Sequence, residues 1–372
     1  MPTESENQAR ADLGEMEGDE NFTFPPPERR VVTQPVDLSV QTLIEQWDSK
    51  LLSLPEINRE YVWDNGKASR LIESLILNIP IPVLYFAETP EAKYEIIDGH
   101  QRVRSIVRYL NNQFSLSGVA VLREYKGFRF HKLPEREQRF LKMRTLRTIL
   151  ISIDSHPNMK FEIFERLNTG AILLNAQELR NSIYRGSLNS LLHELVKSST
   201  FRTLLGTKTP RRRMVDEEIV LRFFALNALL NKYRTPLKRF LNEYMDSSKN
   251  LDSDSIAILK EKFEKTTATV NRLIGPNAFR ITDRKGKLVD RTVNRALFDA
   301  QMLTCSWISG GEDASPNRVR NELSTLFADE LFVDSIQRAT GDRARTFRRI
   351  RETVAALSRA GLSVEVPYDL SK

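Results

Sequence analysis

The spacing of apolar residues changes once along this 372-residue chain, near residue 172, and this change limits the folds open to it. Before that point, strand-like runs such as "YEIID" and "RTILISID" alternate with segments at helical spacing, among them "DNGKASRLIESLILN". Beyond it, only helical spacing remains. Alternating strands and helices are typical of a compact mixed sheet, and unbroken helical spacing is typical of a bundle. We therefore predict an α+β chain, with a mixed α/β domain over residues 31–172 and an all-helical domain over residues 173–372.

Residues 1–30 lack apolar periodicity and end in "FPPPERR", which predicts a disordered acidic arm closed by a stiff proline spacer. Residues 1–28 hold eight acids and one base, a net charge of −7, so the remainder of this +7 chain carries +14. A body this basic attracts polyanions such as DNA through phosphate contacts and counterion release. The alternative is a well-solvated surface with scattered arginines.

Polar residues ahead of the helical segments predict where several helices begin. Ser39 and Asp64 are expected N-caps, and Asn175 with Glu178 forms a capping box. Thr235 is expected to cap a helix whose first residue is Pro236. The run "FSLSGVAVL", residues 114–122, is interpreted as a strand.

Several classes of protein are excluded or disfavoured by what the sequence lacks. No run of about 18 apolar residues occurs, so we expect no membrane span. A single cysteine, Cys305, and a polar N-terminus favour a reducing, cytoplasmic setting. No G-x-x-x-x-G-K-[ST] loop is present, and the four histidines are scattered. A P-loop NTPase and a structural zinc site are therefore not expected.

The stretch "YEIIDGHQRVRSIVRYL", residues 94–110, carries the strongest indication of a binding site. A strand that ends at Asp98-Gly99 and opens a helix places backbone N–H groups at the positive end of a helix dipole, where an anion binds. Arg102 lies in the first turn, where a cation is unfavourable unless an anion is bound, and His100 and Gln101 can donate hydrogen bonds. Arg104 follows on the helix. The alternative is an Asp98–Arg102 pair that only stabilises the turn.

Two further segments supply candidate ligand contacts. In "INREYVWD", Arg59 could face a phosphate and Trp63 could stack on a base, although Trp63 would equally suit the core. In "FERLNTG", Asn168 and Thr169 are polar candidates that follow a helix, and they would equally suit a helix stop.

Two arginine clusters are candidates for nucleic-acid contact. The loop "KTPRRRMVDEE" contains Arg211, Arg212 and Arg213, and the last long helix contains Arg345, Arg348 and Arg349. Guanidinium groups in such clusters commonly contact phosphates. The alternative is a solvated loop or a partner's acidic surface.

Four ordered blocks of sequence resemble the GmrSD restriction endonuclease N-terminal domain family. They lie at residues 57–86, at the Asp-Gly-His-Gln-Arg stretch, at residues 161–184 and in the helices that follow, and the likeness covers roughly residues 35 to 305. The resemblance implies a ParB/sulfiredoxin-like fold and an NTP-binding domain linked to NTP hydrolysis and DNA restriction. Asp98, Gly99, Gln101 and Arg102 match the family's Asp-Gly-Gln-Gln-Arg signature, and His100 departs from it.

The resemblance and the residues together lead to three hypotheses. In the first, the protein hydrolyses an NTP with Mg²⁺ in anti-phage defence. Asp98, Arg102 and Gln101 are then catalytic, with Asp98 holding Mg²⁺ or the attacking water. The nucleotide would contact seven residues: Gly99, His100, Arg104, Arg59, Trp63, Asn168 and Thr169.

Longer family members add a His-containing nuclease domain, and no such block follows residue 200. The first hypothesis therefore includes DNA and a partner nuclease. In the second hypothesis, the chain is a non-catalytic nucleotide or DNA sensor. In the third, it is a direct Mg²⁺-dependent DNase.

Overall fold

The computed structural model describes residues 29–54, 61–167, 175–283, 285–311 and 314–370. The described residues between 24 and 174 form one compact unit, and those from 175 onward form a second unit. The predicted acidic arm lies outside the described residues, apart from Arg29 and Arg30. The described part contains no helix that is long and apolar enough to cross a membrane.

The described residues of the first unit form a five-stranded mixed sheet with five α-helices. Its elements, in chain order, are β1 (Thr33–Ser39), α1 (Val40–Asp48), β2 (Leu52–Ser53), α2 (Asn65–Ile76), β3 (Leu84–Glu88), β4 (Tyr94–Asp98), α3 (His100–Leu110), α4 (Glu135–Met143), β5 (Thr145–Ile151) and α5 (Pro157–Leu167). The strand order is β1-β5-β3-β4-β2. The β1–β5 and β3–β4 pairs are antiparallel, and the β3–β5 and β2–β4 pairs are parallel.

Helices α2 and α3 form the centre of this unit's hydrophobic core. Ile72 and Leu75 of α2 and Val103 and Ile106 of α3 are each less than 5% exposed and belong to one apolar cluster. Apolar residues three and four apart face the same side of a helix, which is why the sequence predicted both helices. The mixed sheet and the predominance of helices confirm the α+β prediction.

The interpretation of residues 114–122 as a strand is wrong. Side chains of α2 take up backbone N–H groups that a neighbouring strand would otherwise use. Ser69 Oγ accepts from Ser117 N at 2.9 Å, and Glu73 accepts from the N–H groups of residues 120–122 at 2.7–3.1 Å. Backbone N–H groups require partners, and side chains supply them at these four positions, whereas Leu116 N donates to the Phe128 carbonyl at 3.0 Å.

The second unit is largely helical. Its elements are α6 (Ala176–Ile183), α7 (Ser187–Leu195), α8 (Ser199–Leu205), α9 (Val215–Leu229), α10 (Leu237–Ser248), α11 (Ser253–Leu273), α12 (Arg295–Ser306), β6 (Ile308–Gly310), α13 (Pro316–Thr325), α14 (Glu330–Gln337), α15 (Arg343–Arg359) and β7 (Ser363–Val364). Helices α9 and α12 are buried along most of their length. The short antiparallel β6–β7 pair was not predicted.

The predicted helix starts are confirmed in three cases and wrong in one. Ser39 and Asp64 accept hydrogen bonds from the first turns of α1 and α2. Asn175 and Glu178 form the reciprocal capping box at α6, with bonds of 2.7 and 2.8 Å. Pro236 adopts an extended backbone conformation (ψ 147°) and therefore occupies the N-cap position itself, so α10 begins one residue later than predicted.

Candidate functional site

The turn between β4 and α3 requires the glycine that the sequence places there. Gly99 has φ 97° and ψ 9°, a left-handed conformation that L side chains rarely adopt. A Cβ atom at this position would also clash with Cδ2 of Leu84 on β3. The chain can therefore pass directly from the strand tip into the helix only with glycine at position 99.

Asp98 and Arg102 form a close ion pair across this turn. Nη2 of Arg102 donates to Oδ2 of Asp98 at 2.6 Å, and Nη1 donates to the carbonyls of Pro82 and, at 3.3 Å, Val83. The Arg102 side chain is 11% exposed and that of Asp98 is 29% exposed. Burial lowers the pKa of Arg102, and the Asp98 carboxylate partly restores it. Arg102 thus fastens the segment before β3 to the β4–α3 turn, as in the structural alternative.

Gln101 holds the segment that precedes α2 against the start of α3. Its Oε1 accepts from the backbone N–H groups of Val62 at 3.1 Å and Trp63 at 3.3 Å. Its Nε2 lies 2.8 Å from Nε2 of His100. These contacts position the aromatic residues on either side of Val62 next to a half-buried face of α3.

The hydroxyl of Tyr61 contacts a serine hydroxyl, and its ring contacts two guanidinium groups. Its hydroxyl lies 2.8 Å from Oγ of Ser105. Because that Oγ donates its single proton to the Gln101 carbonyl at 2.7 Å, Tyr61 must be the donor. Cζ of Arg104 lies 5.5 Å from the centre of the Tyr61 ring, and Cζ of Arg108 lies 4.3 Å from it. An aromatic ring and two cations therefore share one half-buried face of α3.

Arg108 was not among the predicted site residues. Its Nη2 donates to Oδ1 of Asn65 at 3.4 Å, and no carboxylate of the described residues lies within ion-pair distance of it. The sequence signal that could have identified it is its i,i+4 spacing from Arg104, which places both side chains on one helix face.

Of the predicted nucleotide contacts outside α3 and the turn before it, the described ranges include Trp63 and exclude three others. Trp63 is half-buried, packs against the core of the first unit and has Nζ of Lys67 4.8 Å from its ring centre. Arg59, Asn168 and Thr169 lie outside the described residues.

The metal prediction rests on Asp98 alone. Within the described ranges, no group of three or more His, Cys, Asp or Glu side chains could hold a metal ion. Oδ1 of Asp98 has no hydrogen-bond partner among the residues that the structure describes. Mg²⁺ commonly takes one or two carboxylate oxygens and completes its shell with phosphates and water. The turn therefore fits Mg²⁺ only as an ion carried by a bound nucleotide.

Most of the predicted nucleic-acid arginines in the second unit already have acidic partners. Arg211 pairs with Asp216 at 2.6 Å, Arg213 with Glu178 at 3.0 Å and Arg345 with Asp334 at 2.8 Å. Of the other predicted arginines, Arg212 is exposed and Arg348 is half-buried.

Arg349 is a core residue and does not belong to a surface cluster. Its side chain is 1% exposed, and its guanidinium donates to Asp299 at 3.3 Å and to the Thr340 carbonyl at 2.8 Å. Asp299 also receives two bonds from Arg222, at 2.5 and 3.1 Å. The prediction that Arg349 contacts nucleic acid is therefore wrong, because its guanidinium is buried against Asp299.

Comparison with known protein families matches residues 40–185 to the family described as "GmrSD restriction endonuclease, N-terminal domain". No curated protein matches the chain. The matched range contains the whole of the Asp98–Arg108 site and ends just after α6.

Proposed function

We propose that residues 40–185, which match the GmrSD restriction endonuclease N-terminal domain family, bind and hydrolyse a nucleoside triphosphate in the context of DNA restriction. The nucleotide would lie against the start of α3 and against the half-buried face that carries Arg104 and Arg108. Hydrolysis would support restriction of DNA by a partner nuclease in antiviral defence.

One observation carries this proposal: a cationic and aromatic helix face adjoins a helix N-terminus whose preceding acid, Asp98, is already paired with Arg102. Arg104 and Arg108 flank the Tyr61 ring. No side chain caps the N-terminus of α3, and its first turn contains no acidic residue. A helix N-terminus attracts phosphate through its backbone N–H groups and its dipole, and neighbouring guanidiniums add charge-assisted hydrogen bonds. A triphosphate matches this distribution of charge.

The proposal divides the residues of this site between positioning and ligand contact. Arg102 and Gln101 already hold neighbouring segments, so we assign them as positioning residues. Arg104 and Arg108 are assigned to phosphate, where guanidinium planes suit the oxygens of a transferring phosphoryl group.

Oδ1 of Asp98 would orient a water molecule, or it would bind an Mg²⁺ ion that arrives with the nucleotide. When bound, that ion would neutralise charge on the phosphates. His100, Gly99 and Trp63 would line the same turn, and Arg59, Asn168 and Thr169 remain proposed contacts.

The test is phosphate release by the full chain with each of the four common NTPs and Mg²⁺. Arg104→Ala is expected to lower kcat/KM by about 10- to 100-fold, because one charge-assisted bond to phosphate contributes about 1.5–3 kcal/mol. Arg291→Ala is the matched control, since Arg291 is exposed and has no side-chain partner among the described residues. Equal activity of both variants and wild type, at equal melting temperatures, would remove Arg104 from the site.

A nucleotide sensor without turnover is the second candidate, and the Asp98–Arg102 pair favours it. A guanidinium at 2.6 Å already occupies one oxygen of the Asp98 carboxylate, which leaves a single oxygen for a metal ion or a water molecule. A nucleotide-dependent rise in melting temperature without phosphate release would select the sensor. Nicking of plasmid by the isolated chain with Mg²⁺ alone would instead indicate a direct DNase.

A further inference from the structure

A second group of exposed cations lies on the first unit, in a segment that no predicted site includes. Residues 123–142 contain seven Lys and Arg residues and three Glu residues. Six exposed cations of this segment have no carboxylate of the described residues within ion-pair distance. We call these six residues the basic face: Arg123, Lys126, Arg129, Lys132, Arg136 and Lys142. Arg139 pairs only with the exposed Glu135, at 3.4 Å.

Buried side chains anchor the backbone that carries the basic face. Phe130, Leu133 and Leu141 are each less than 9% exposed and belong to the core of the first unit. Arg123 Nε donates to the Ala120 carbonyl at 3.2 Å, and Arg129 Nη1 donates to the Asn112 carbonyl at 3.1 Å. The cations are therefore displayed from a fixed backbone, which reduces the conformational entropy lost on binding.

Exposed apolar groups lie among these cations on α4. Phe140 is 42% exposed and Met143 is 72% exposed, although both are large hydrophobic residues. Cζ of Arg136 lies 5.2 Å from the Phe140 ring centre. Arg136, Phe140 and Met143 follow i,i+4,i+7 spacing and so lie on one side of the helix. A shallow depression beside them is lined by Ser39, Gln41, Arg139, Lys142 and Met143.

We propose that the basic face contacts the phosphate backbone of duplex DNA. Unpaired cations gain most from a ligand of high linear charge density, because each phosphate contact releases condensed counterions. The nine residues of α4 span about 13 Å, which is about four phosphates of one strand measured along the DNA axis. Phe140 and Met143 supply apolar contact with sugars between the phosphates. The restriction context of the family makes DNA the polyanion that this surface would meet.

The test measures DNA affinity of the full chain by fluorescence anisotropy on a labelled duplex, without nucleotide, across a series of salt concentrations. The face variant combines Lys126→Glu, Arg136→Glu and Lys142→Glu. It is expected to bind about 100-fold more weakly and to lower the slope of log K against log salt by about three, one for each phosphate contact.

A matched control variant combines Lys50→Glu, Lys93→Glu and Arg291→Glu, which changes the net charge by the same amount at exposed positions elsewhere. It is expected to keep the wild-type salt slope. Equal loss of affinity in both variants would show that only net charge matters and would overturn the proposal. So would a face variant that keeps wild-type DNA affinity but loses affinity for an acidic polypeptide. Melting curves of both variants establish that they fold, and omission of nucleotide separates this result from NTP hydrolysis.

Discussion

Replacement of Glu73 should destabilise the first unit although the side chain lies outside every predicted site. The carboxylate is 7% exposed and accepts from the N–H groups of Ala120, Val121 and Leu122 at 3.1, 2.7 and 2.8 Å. A hydrogen bond to a charged group contributes about 1.5–3 kcal/mol. Residues 120 and 121 are exposed, so their N–H groups regain water and the lower value applies. We expect a loss of about 4 kcal/mol for Glu73→Ala and about 2 kcal/mol for Glu73→Gln.

The loss of unfolding free energy should depend on pH, and the contacts of Glu73 determine the direction of that dependence. Burial by itself would raise the pKa of Glu73, but the three backbone donors and the charge of Arg70 lower it further than burial raises it. A carboxyl whose folded pKa is depressed stabilises the protein fully above its unfolded pKa of about 4.3. That contribution is lost as the pH falls through the folded pKa. The difference in unfolding free energy between wild type and Glu73→Gln should be constant near neutral pH and shrink in acid.

Urea unfolding followed by tryptophan fluorescence measures these free energies, since Trp47 and Trp63 both pack against the core of the first unit. Hydrogen exchange of residues 120–122 tests the location of the effect, and it should accelerate in both variants. Glu261→Gln, on an exposed position of α11, is the control and should change neither readout. Equal urea midpoints for wild type and Glu73→Gln, with unchanged exchange at 120–122, would refute the reasoning.

Three further predictions concern the turn, the buried charges and the thiol. Gly99→Ala should cost about 2–4 kcal/mol in urea unfolding, from the positive φ and the clash with Leu84, and a cost below 1 kcal/mol would contradict this. Asp299→Asn should cost about 3–5 kcal/mol because it leaves two buried arginines without their carboxylate, whereas the partly exposed Asp334→Asn should cost less than about 1 kcal/mol. Burial raises the pKa of Cys305 to about 12, so the native thiol should resist a disulfide reagent at pH 8 that labels one thiol per chain in urea, and rapid native labelling would contradict its burial.

Local features of the fold were predictable because their causes are local. Helix α2 follows from apolar spacing together with the Asp64 cap, and α6 follows from a capping box whose two members are three residues apart. The segment at 114–122 has equally good strand composition, but it forms none. Four of its N–H groups donate to Ser69 and Glu73, which lie more than 45 residues earlier. The composition of a segment cannot indicate that distant side chains, brought close by the tertiary fold, will accept hydrogen bonds from its backbone N–H groups.

In the second unit, the burial of charged side chains also depends on residues that are distant in sequence. Arg349 and Arg348 are adjacent and chemically identical, yet one is 1% exposed and the other is half-buried. The difference arises from Asp299, which lies 50 residues from Arg349 in sequence and is completely buried. A row of arginines on a helix therefore indicates a basic face only at positions where no distant carboxylate meets the side chain.

Neighbouring arginines of the candidate site differ in their contacts, which the sequence alone did not indicate. Arg102 and Arg104 are two residues apart, so their side chains leave α3 in directions about 200° apart. One guanidinium turns to Asp98 and the carbonyls before β3, and the other turns to the Tyr61 ring. Loss of activity on removal of Arg102 would follow from either a damaged turn or a lost phosphate contact. Arg104 is the residue to compare with it, because its Cζ lies 5.5 Å from the centre of the Tyr61 ring, on the face assigned to phosphate.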